Sequence, residues 1–187
     1  MDIATPNNLH AEAAIAAAQA GKHIICEKPL ARTSQEAKAM YEAAKGAGIV
    51  HMVAFNYRRT PAVALAKKYI EEGAIGRILS FRGTYLQDWS ADPDSPLSWR
   101  FQKSIAGSGA LGDIATHAID MARYLVGEVA SVNAIMNTWI ADRPVQAEGA
   151  DLLGTSKNSG GPRAEVDVDD EVMTMLKFAD GAVGSVE

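Results

Sequence analysis

The stretch HIICEKPLA, residues 23–31, decides how this chain is read. A short apolar run ends on Glu27 and Lys28 and is stopped by Pro29, which has no N–H to give a sheet ladder and biases the residue before it toward extended backbone. This is the pattern of a buried strand that ends in a turn. Working upstream, residues 3–5 look like the end of another buried strand. Pro6, Asn7 and Asn8 then turn the chain and offer an N-cap to an alanine-rich helix that Gly21 stops. Downstream, Thr33 with Glu36 three positions later makes a capping box for a helix ending near Gly46 or Gly48, and residues 49–55 read as a third strand. The order β-α-β-α-β, in short apolar strands and full-length helices, favours a parallel sheet with right-handed crossovers, because a parallel neighbour is reached only through such a connection.

Beyond residue 56 the pattern changes. Thr60 and Pro61 open a helix that Gly73 ends, and residues 77–87 alternate as a strand with one wet face. A loop rich in Trp, Pro and Asp occupies residues 88–104 and is too long for a plain connector. A helix is predicted over 107–126, a strand over 129–140 and a polar excursion over 141–165. A hairpin follows, formed by 168–178 and 182–187 around Asp180-Gly181. The predicted class is therefore α/β followed by α+β, with part of a parallel sheet leading into an open, largely antiparallel sheet.

Composition narrows the possible partners. The 187 residues are 48% hydrophobic, ample for a core, and carry a net charge of −5 without long runs. Nucleic-acid grooves and anionic membrane surfaces rely on clustered Lys and Arg, so neither is expected as a partner. No stretch approaches the roughly 18 apolar residues of a membrane span. One cysteine, Cys26, excludes an intrachain disulfide and fits a reducing compartment, and the N-terminus has no basic start or apolar signal core. A cytoplasmic protein acting on a small molecule is the expectation, with Cys26 itself a small buried side chain.

Chemistry concentrates in a few places. Lys28 stands at the carboxyl edge of the parallel sheet, where open α/β proteins bind ligands; elsewhere a strand-end lysine would simply be exposed. Asp113 and His117 lie four apart, on one face of the predicted helix, with Asp120 one turn on. A carboxylate beside an imidazole fixes the ring and raises its basicity, which suits a general base; the alternative is a helix-stabilising pair. A metal is not expected, since no further His or Cys cluster accompanies the pair. Gly107-Ser108-Gly109-Ala110-Leu111-Gly112 matches G-x-G-x-x-G letter for letter. A dinucleotide fingerprint, however, follows a buried strand and has an acid about 20 positions on, ending the next strand. The preceding residues here are polar and basic, so the glycines read first as a tightly packed helix start, with admission of substrate as the alternative. Trp89, Trp99 and Arg100 would suit the wall of a sugar pocket or would simply pin the long loop. Lys28–Pro29 is open to either peptide isomer, because the trans preference before proline is small.

Taken together, ATPNNLHAE, GKHIICEKPLA, VAFNYRRTP, SWRFQKSIAGSGALGDIATHAIDMARYLVG and VDVDDEVMTMLKFADGAVGSVE resemble the glucose-fructose oxidoreductase / inositol dehydrogenase (Gfo/Idh/MocA) family. The resemblance implies an NAD(P)-dependent dehydrogenase of sugars or cyclitols. It would be built from a Rossmann-like part (residues 1–56) and a substrate-binding, oligomerising α+β part (57–187) with helices on one face of its sheet. It makes Lys28 like the family's catalytic lysine and Asp113 and His117 like its acid-base pair. By the same implication Thr5, Pro6, Asn7, His10 and Glu27 lie along the nicotinamide of NAD or NADP. Tyr57, Arg58, Trp99 and Arg100 approach substrate or cofactor, and the sheet supports a homo-oligomer. Family members carry a Gly-rich turn and a ribose-reading acid in a leading segment. This chain starts after both, so it reads as a dehydrogenase fragment or a prematurely started reading frame. The rival expectation is a non-catalytic binding or assembly module derived from that family.

Overall fold

The computed structural model describes residues 1–145 and 161–187. Part of the predicted polar excursion, residues 146–160, lies outside the described residues.

The first layer is a parallel sheet of β1 (Asp2–Ile3), β2 (Ile24–Cys26) and β3 (His51–Val53), in that order. The crossovers carry α1 (His10–Gln19) and α2 (Ser34–Gly46). Ala14, Ala17 and Ala18 of α1 let the helix approach Ile3, Ile24, Cys26 and Met40 closely, and together these residues form one core. Thr33 caps α2, its hydroxyl accepting from the Glu36 N–H at 3.1 Å, while Glu36 reaches back to the N–H of Arg32. Burial, then the charges of Glu27 and Asp2, push the Cys26 thiol up to about 11, so it packs and does not react.

The second layer is a mixed sheet in the order β4 (Ser80–Gly83), β9 (Val183–Val186), β8 (Glu171–Phe178), β5 (Val129–Asn137). The β8–β9 and β5–β8 pairs are antiparallel and β4 runs parallel to β9. The strand predicted over 77–87 shrinks to four residues, 80–83, the length over which it pairs in register with the equally short β9. Strict alternation along β8 turns Val172, Thr174, Leu176 and Phe178 inward onto helix α5 (Thr116–Leu125), leaving Met173 and Met175 outside. Helix α3 (Pro61–Glu71) opens on Pro61 as predicted.

The helix predicted as continuous over 107–126 is interrupted. A single turn, α4 (Lys103–Ala106), ends at Gly107 with φ +88°, and the chain re-enters as a π-helical turn, Leu111–Ala115, that runs into α5. Two short strands, β6 (Asp142–Pro144) and β7 (Arg163–Glu165), pair within the polar excursion. Arg143, fully buried, donates to the carbonyls of Ser90 and Asp92 and so ties down the long loop.

Candidate active site

Lys28 ends β2 in a cis Lys28–Pro29 peptide, at the carboxyl edge of the parallel sheet. Its ammonium crosses to the π-helical turn and donates to the Asp113 carboxylate at 2.8 Å and to the Asp113 carbonyl at 2.7 Å. The two side chains are only 16% and 31% exposed, so the pair is shielded but reachable. The guanidinium of Arg100, stacked on its neighbour Trp99, lies 3.8 Å from the other carboxylate oxygen. Asp113 thus sits between two cations. The expectation that it orients His117 is replaced by one in which it holds Lys28.

His117, one turn along, is held by aromatic rings. Tyr57 lies against it with centroids 4.4 Å apart, Phe55 meets it edge-on at 6.2 Å, and Tyr85 is tilted to it at 6.2 Å. Its Nδ1 is buried without a hydrogen-bond partner among the described residues. Burial first, then the Lys28 charge, pull its pKa below the ordinary histidine value against the weaker opposing pull of Asp113, Glu27 and Asp120. The imidazole is therefore kept neutral and able to accept a proton near pH 7. Tyr57 and Tyr85 share a 2.7 Å hydroxyl–hydroxyl bond, which raises the Tyr57 pKa.

The remaining candidates divide. Thr5 is exposed, Pro6 and Glu27 are half-buried, and all three border the sheet's carboxyl edge. Asn7 and His10 do not open onto it. The Asn7 amide donates to the Ala106 carbonyl at 2.8 Å, and His10, 0% exposed, bridges the carbonyls of Thr5 (2.9 Å) and Pro29 (3.1 Å). His10 thus braces the cis turn after β2, and Asn7 the end of α4. Arg58 forks onto the buried Asp120, Nε to Oδ2 at 2.7 Å, and so supports the helix below His117. Asp113 also borders a cavity of about 140 Å³, lined by Tyr85, Gln87, Trp89, Arg100 and Asp169 among others. Among the described residues no group of three His, Cys, Asp or Glu is arranged to hold a metal. No described helix is long and apolar enough to cross a membrane.

Tyr85 and Asp169 carry no sequence signal of their own. Tyr85 lies just past β4 and outside any motif, and the alternation of hydrophobic residues that reveals β8 says nothing about an acid preceding it.

Residues 1–55 match the model of an oxidoreductase family with an NAD-binding Rossmann fold, and residues 63–187 match the GFO/IDH/MocA C-terminal domain. The chain belongs to the Gfo/Idh/MocA family. It is 80% identical over 187 residues to levoglucosan dehydrogenase of Pseudarthrobacter phenanthrenivorans, covering 100% of this chain and 48% of that protein. To scyllo-inositol 2-dehydrogenase (NAD(+)) of Bacillus subtilis it is 33% identical, covering 99% of this chain and 46% of the relative. A solved levoglucosan dehydrogenase in complex with NADH and L-sorbose superposes with a TM-score of 0.90 at 78% identity, over 99% of this chain and 46% of that one. The chain spans about half the length of the curated relatives it matches, 48% and 46% of these two. This Gfo/Idh/MocA segment thus combines a parallel Rossmann sheet with the family's open second sheet; Lys28, at the edge of the first, pairs with Asp113, and the charges of both act on His117.

Proposed function

We propose that this chain contributes the reacting groups of an NAD(P)-dependent dehydrogenase that oxidises a hydroxyl of a sugar or cyclitol, with levoglucosan the first substrate to try. The observation that carries the reading is the Lys28–Asp113 pair, 2.8 Å long, set beside a histidine whose pKa is held down. The 80% identity to levoglucosan dehydrogenase supports the substrate class, and the NADH in a similar solved protein supports the cofactor. Thr5, Pro6 and Glu27, accessible along the carboxyl edge, fit the nicotinamide end of a dinucleotide. A nicotinamide bound there supplies the acceptor for a hydride.

In this reading His117 accepts the hydroxyl proton. Lys28 stabilises the oxygen as its bond to carbon becomes double and the carbon's hydrogen leaves with its electron pair. Asp113, with Arg100 beyond it, fixes the ammonium. Tyr57, Tyr85, Trp99 and Arg100 would frame the sugar, Arg58 would act through Asp120, His10 would act through the cis turn and Asn7 through the end of α4. The division we favour gives residues 1–56 the cofactor side and 57–187 the substrate side. The apolar outer face of the second sheet, with Ile135, Met173 and Met175 exposed, supports a homo-oligomer, and the single buried cysteine suits a reducing cytoplasm.

The test is a chimera in which residues 1–187 replace the matching stretch of the P. phenanthrenivorans enzyme. It is assayed with NAD+ and NADP+ against levoglucosan, glucose and myo-inositol. Cofactor reduction that Lys28→Ala abolishes is expected; a folded chimera that turns over none of them would overturn the reading.

A further inference from the structure

The glycine motif that is not a dinucleotide fingerprint has another use. Segment 103–112 is gripped from two sides. From the Rossmann side, Asn7 donates to the Ala106 carbonyl at 2.8 Å and Arg32 to the Ser104 carbonyl at 2.5 Å. A Cβ on Gly107 would stand 2.9 Å from the Arg32 backbone. From the sheet side, Asp167 accepts the Lys103 N–H at 2.6 Å. Asp169 then takes three consecutive amides: its carboxylate accepts from Gly109 at 2.8 Å and Leu111 at 2.6 Å, and its carbonyl accepts from Ala110 at 2.8 Å. A Cβ on Gly109 would lie 1.9 Å from that carbonyl, so only glycine lets the segment leading into β8 come this close.

The opening amides of a helix have no partners inside it, and a carboxylate is their best acceptor from outside. Asp169 fills that role from a distant element, immediately before the turn that carries Asp113 and the helix that carries His117. At Gly112 a Cβ would meet Ser108 Oγ at 2.4 Å and Pro29 at 3.7 Å, so the same joint seats the cis turn of Lys28 against the helix start.

We propose that Asp169 is a positioning residue, setting the start of the Asp113–His117 helix and thereby the place where Asp113 meets Lys28. This rests on the reading of Lys28, Asp113 and His117 as the reacting groups, yet it is tested without turnover. The probe is the His117 imidazole, followed by NMR through a pH titration of the 187-residue chain. The titratable groups that influence it are Lys28, Asp113, Glu27 and Asp120, with the Tyr57 and Tyr85 rings beside it. Asp169→Asn removes one acceptor oxygen, so the helix start loosens and Lys28 and the buried surroundings press less on the ring. Its midpoint should rise measurably, toward the ordinary histidine value. Asp167→Asn, which loosens only α4, should leave the midpoint in place. An unmoved midpoint in a folded Asp169→Asn, or an equal movement in both variants, would overturn the proposal. Should Asp169→Asn fail to fold, amide exchange of the unsubstituted chain decides. The N–H groups of Gly109, Ala110 and Leu111 should exchange as slowly as those of β8, and exchange at loop rates would overturn it. A chimera inactive on every sugar would sink the dehydrogenase reading and leave this result standing.

Discussion

The Lys28 ammonium reaches 85 positions along the chain to donate to both the carboxylate and the carbonyl of Asp113, at 2.8 and 2.7 Å. That double anchor defines the nitrogen's position more tightly than a carboxylate alone would. It leaves the ammonium at the edge of the parallel sheet, where a developing alkoxide would find its charge already in place.

Replacing Lys28 by Met in the chimera keeps the stem and removes the charge. In the proposed role the charge acts on an oxygen that becomes anionic only as the reaction proceeds, so kcat should fall by about 10² to 10³, with KM changed far less. Steady-state kinetics checks this, and a loss confined to KM would mean that Lys28 only binds substrate. Asp113→Asn keeps the shape, unpins Lys28 and should cost less, about tenfold.

His117 supplies a pH signature. Its folded pKa is depressed by burial and by Lys28, so in the proposed role only the neutral ring, dominant above that pKa, would accept the substrate proton. The acid limb of kcat should therefore have its midpoint below the ordinary value of about 6.5, and Lys28→Met should move it upward. Stability follows the same sign. The unfolded chain binds the extra proton more readily, so the contribution of His117 is fully present above about 6.5 and is lost as pH falls through the depressed folded value. Urea unfolding across that window should show wild type losing more stability on acidification than His117→Gln.

Where local rules suffice, the chain was legible. The Thr33 and Glu36 spacing does produce a capped helix, and β8 alternates as its sequence alternates. What could not be read lies in contacts between distant segments. The partner of Asp113 is a lysine 85 residues away, and where the helix predicted over 107–126 is interrupted its restarting amides go to Asp169, 58 residues beyond Leu111. His10 and Asn7 are drawn inward by carbonyls of neighbouring turns, and no periodicity announces where a carbonyl will point. Strand 80–83 pairs over the length of β9, a property of β9 and not of its own residues.

The outer face of the second sheet offers a third prediction. Ile135, 76% exposed, and Met175, 67% exposed, lie on the side opposite α5, so they add little to the fold of a single chain. Ile135→Lys with Met175→Glu should leave unfolding stability within about 0.5 kcal/mol of wild type. If the face joins two copies, light scattering should show the wild-type assembly dissociating in the double variant. A wild-type chain monomeric at all concentrations, or an assembly the substitutions leave intact, would remove this face from the interface.

Arg58 and Asp120 form an unequal pair, and the inequality is testable. Asp120 is 7% exposed and accepts both prongs of the guanidinium, whereas the Arg58 side chain is 38% exposed. Removing one partner of an ion pair costs most when the charge left behind has no water to turn to. Arg58→Met strands the Asp120 carboxylate and should destabilise by about 2–3 kcal/mol. Asp120→Asn leaves Arg58 able to reach solvent and keeps one acceptor, so it should cost about 1 kcal/mol. Because Asp120 lies one helical turn beyond His117, Arg58→Met should also disturb the His117 titration, while the exposed pair Lys68–Glu72 should be silent in both measurements. Equal losses for the two substitutions would mean that water reaches Asp120 and that the pair contributes fork geometry alone.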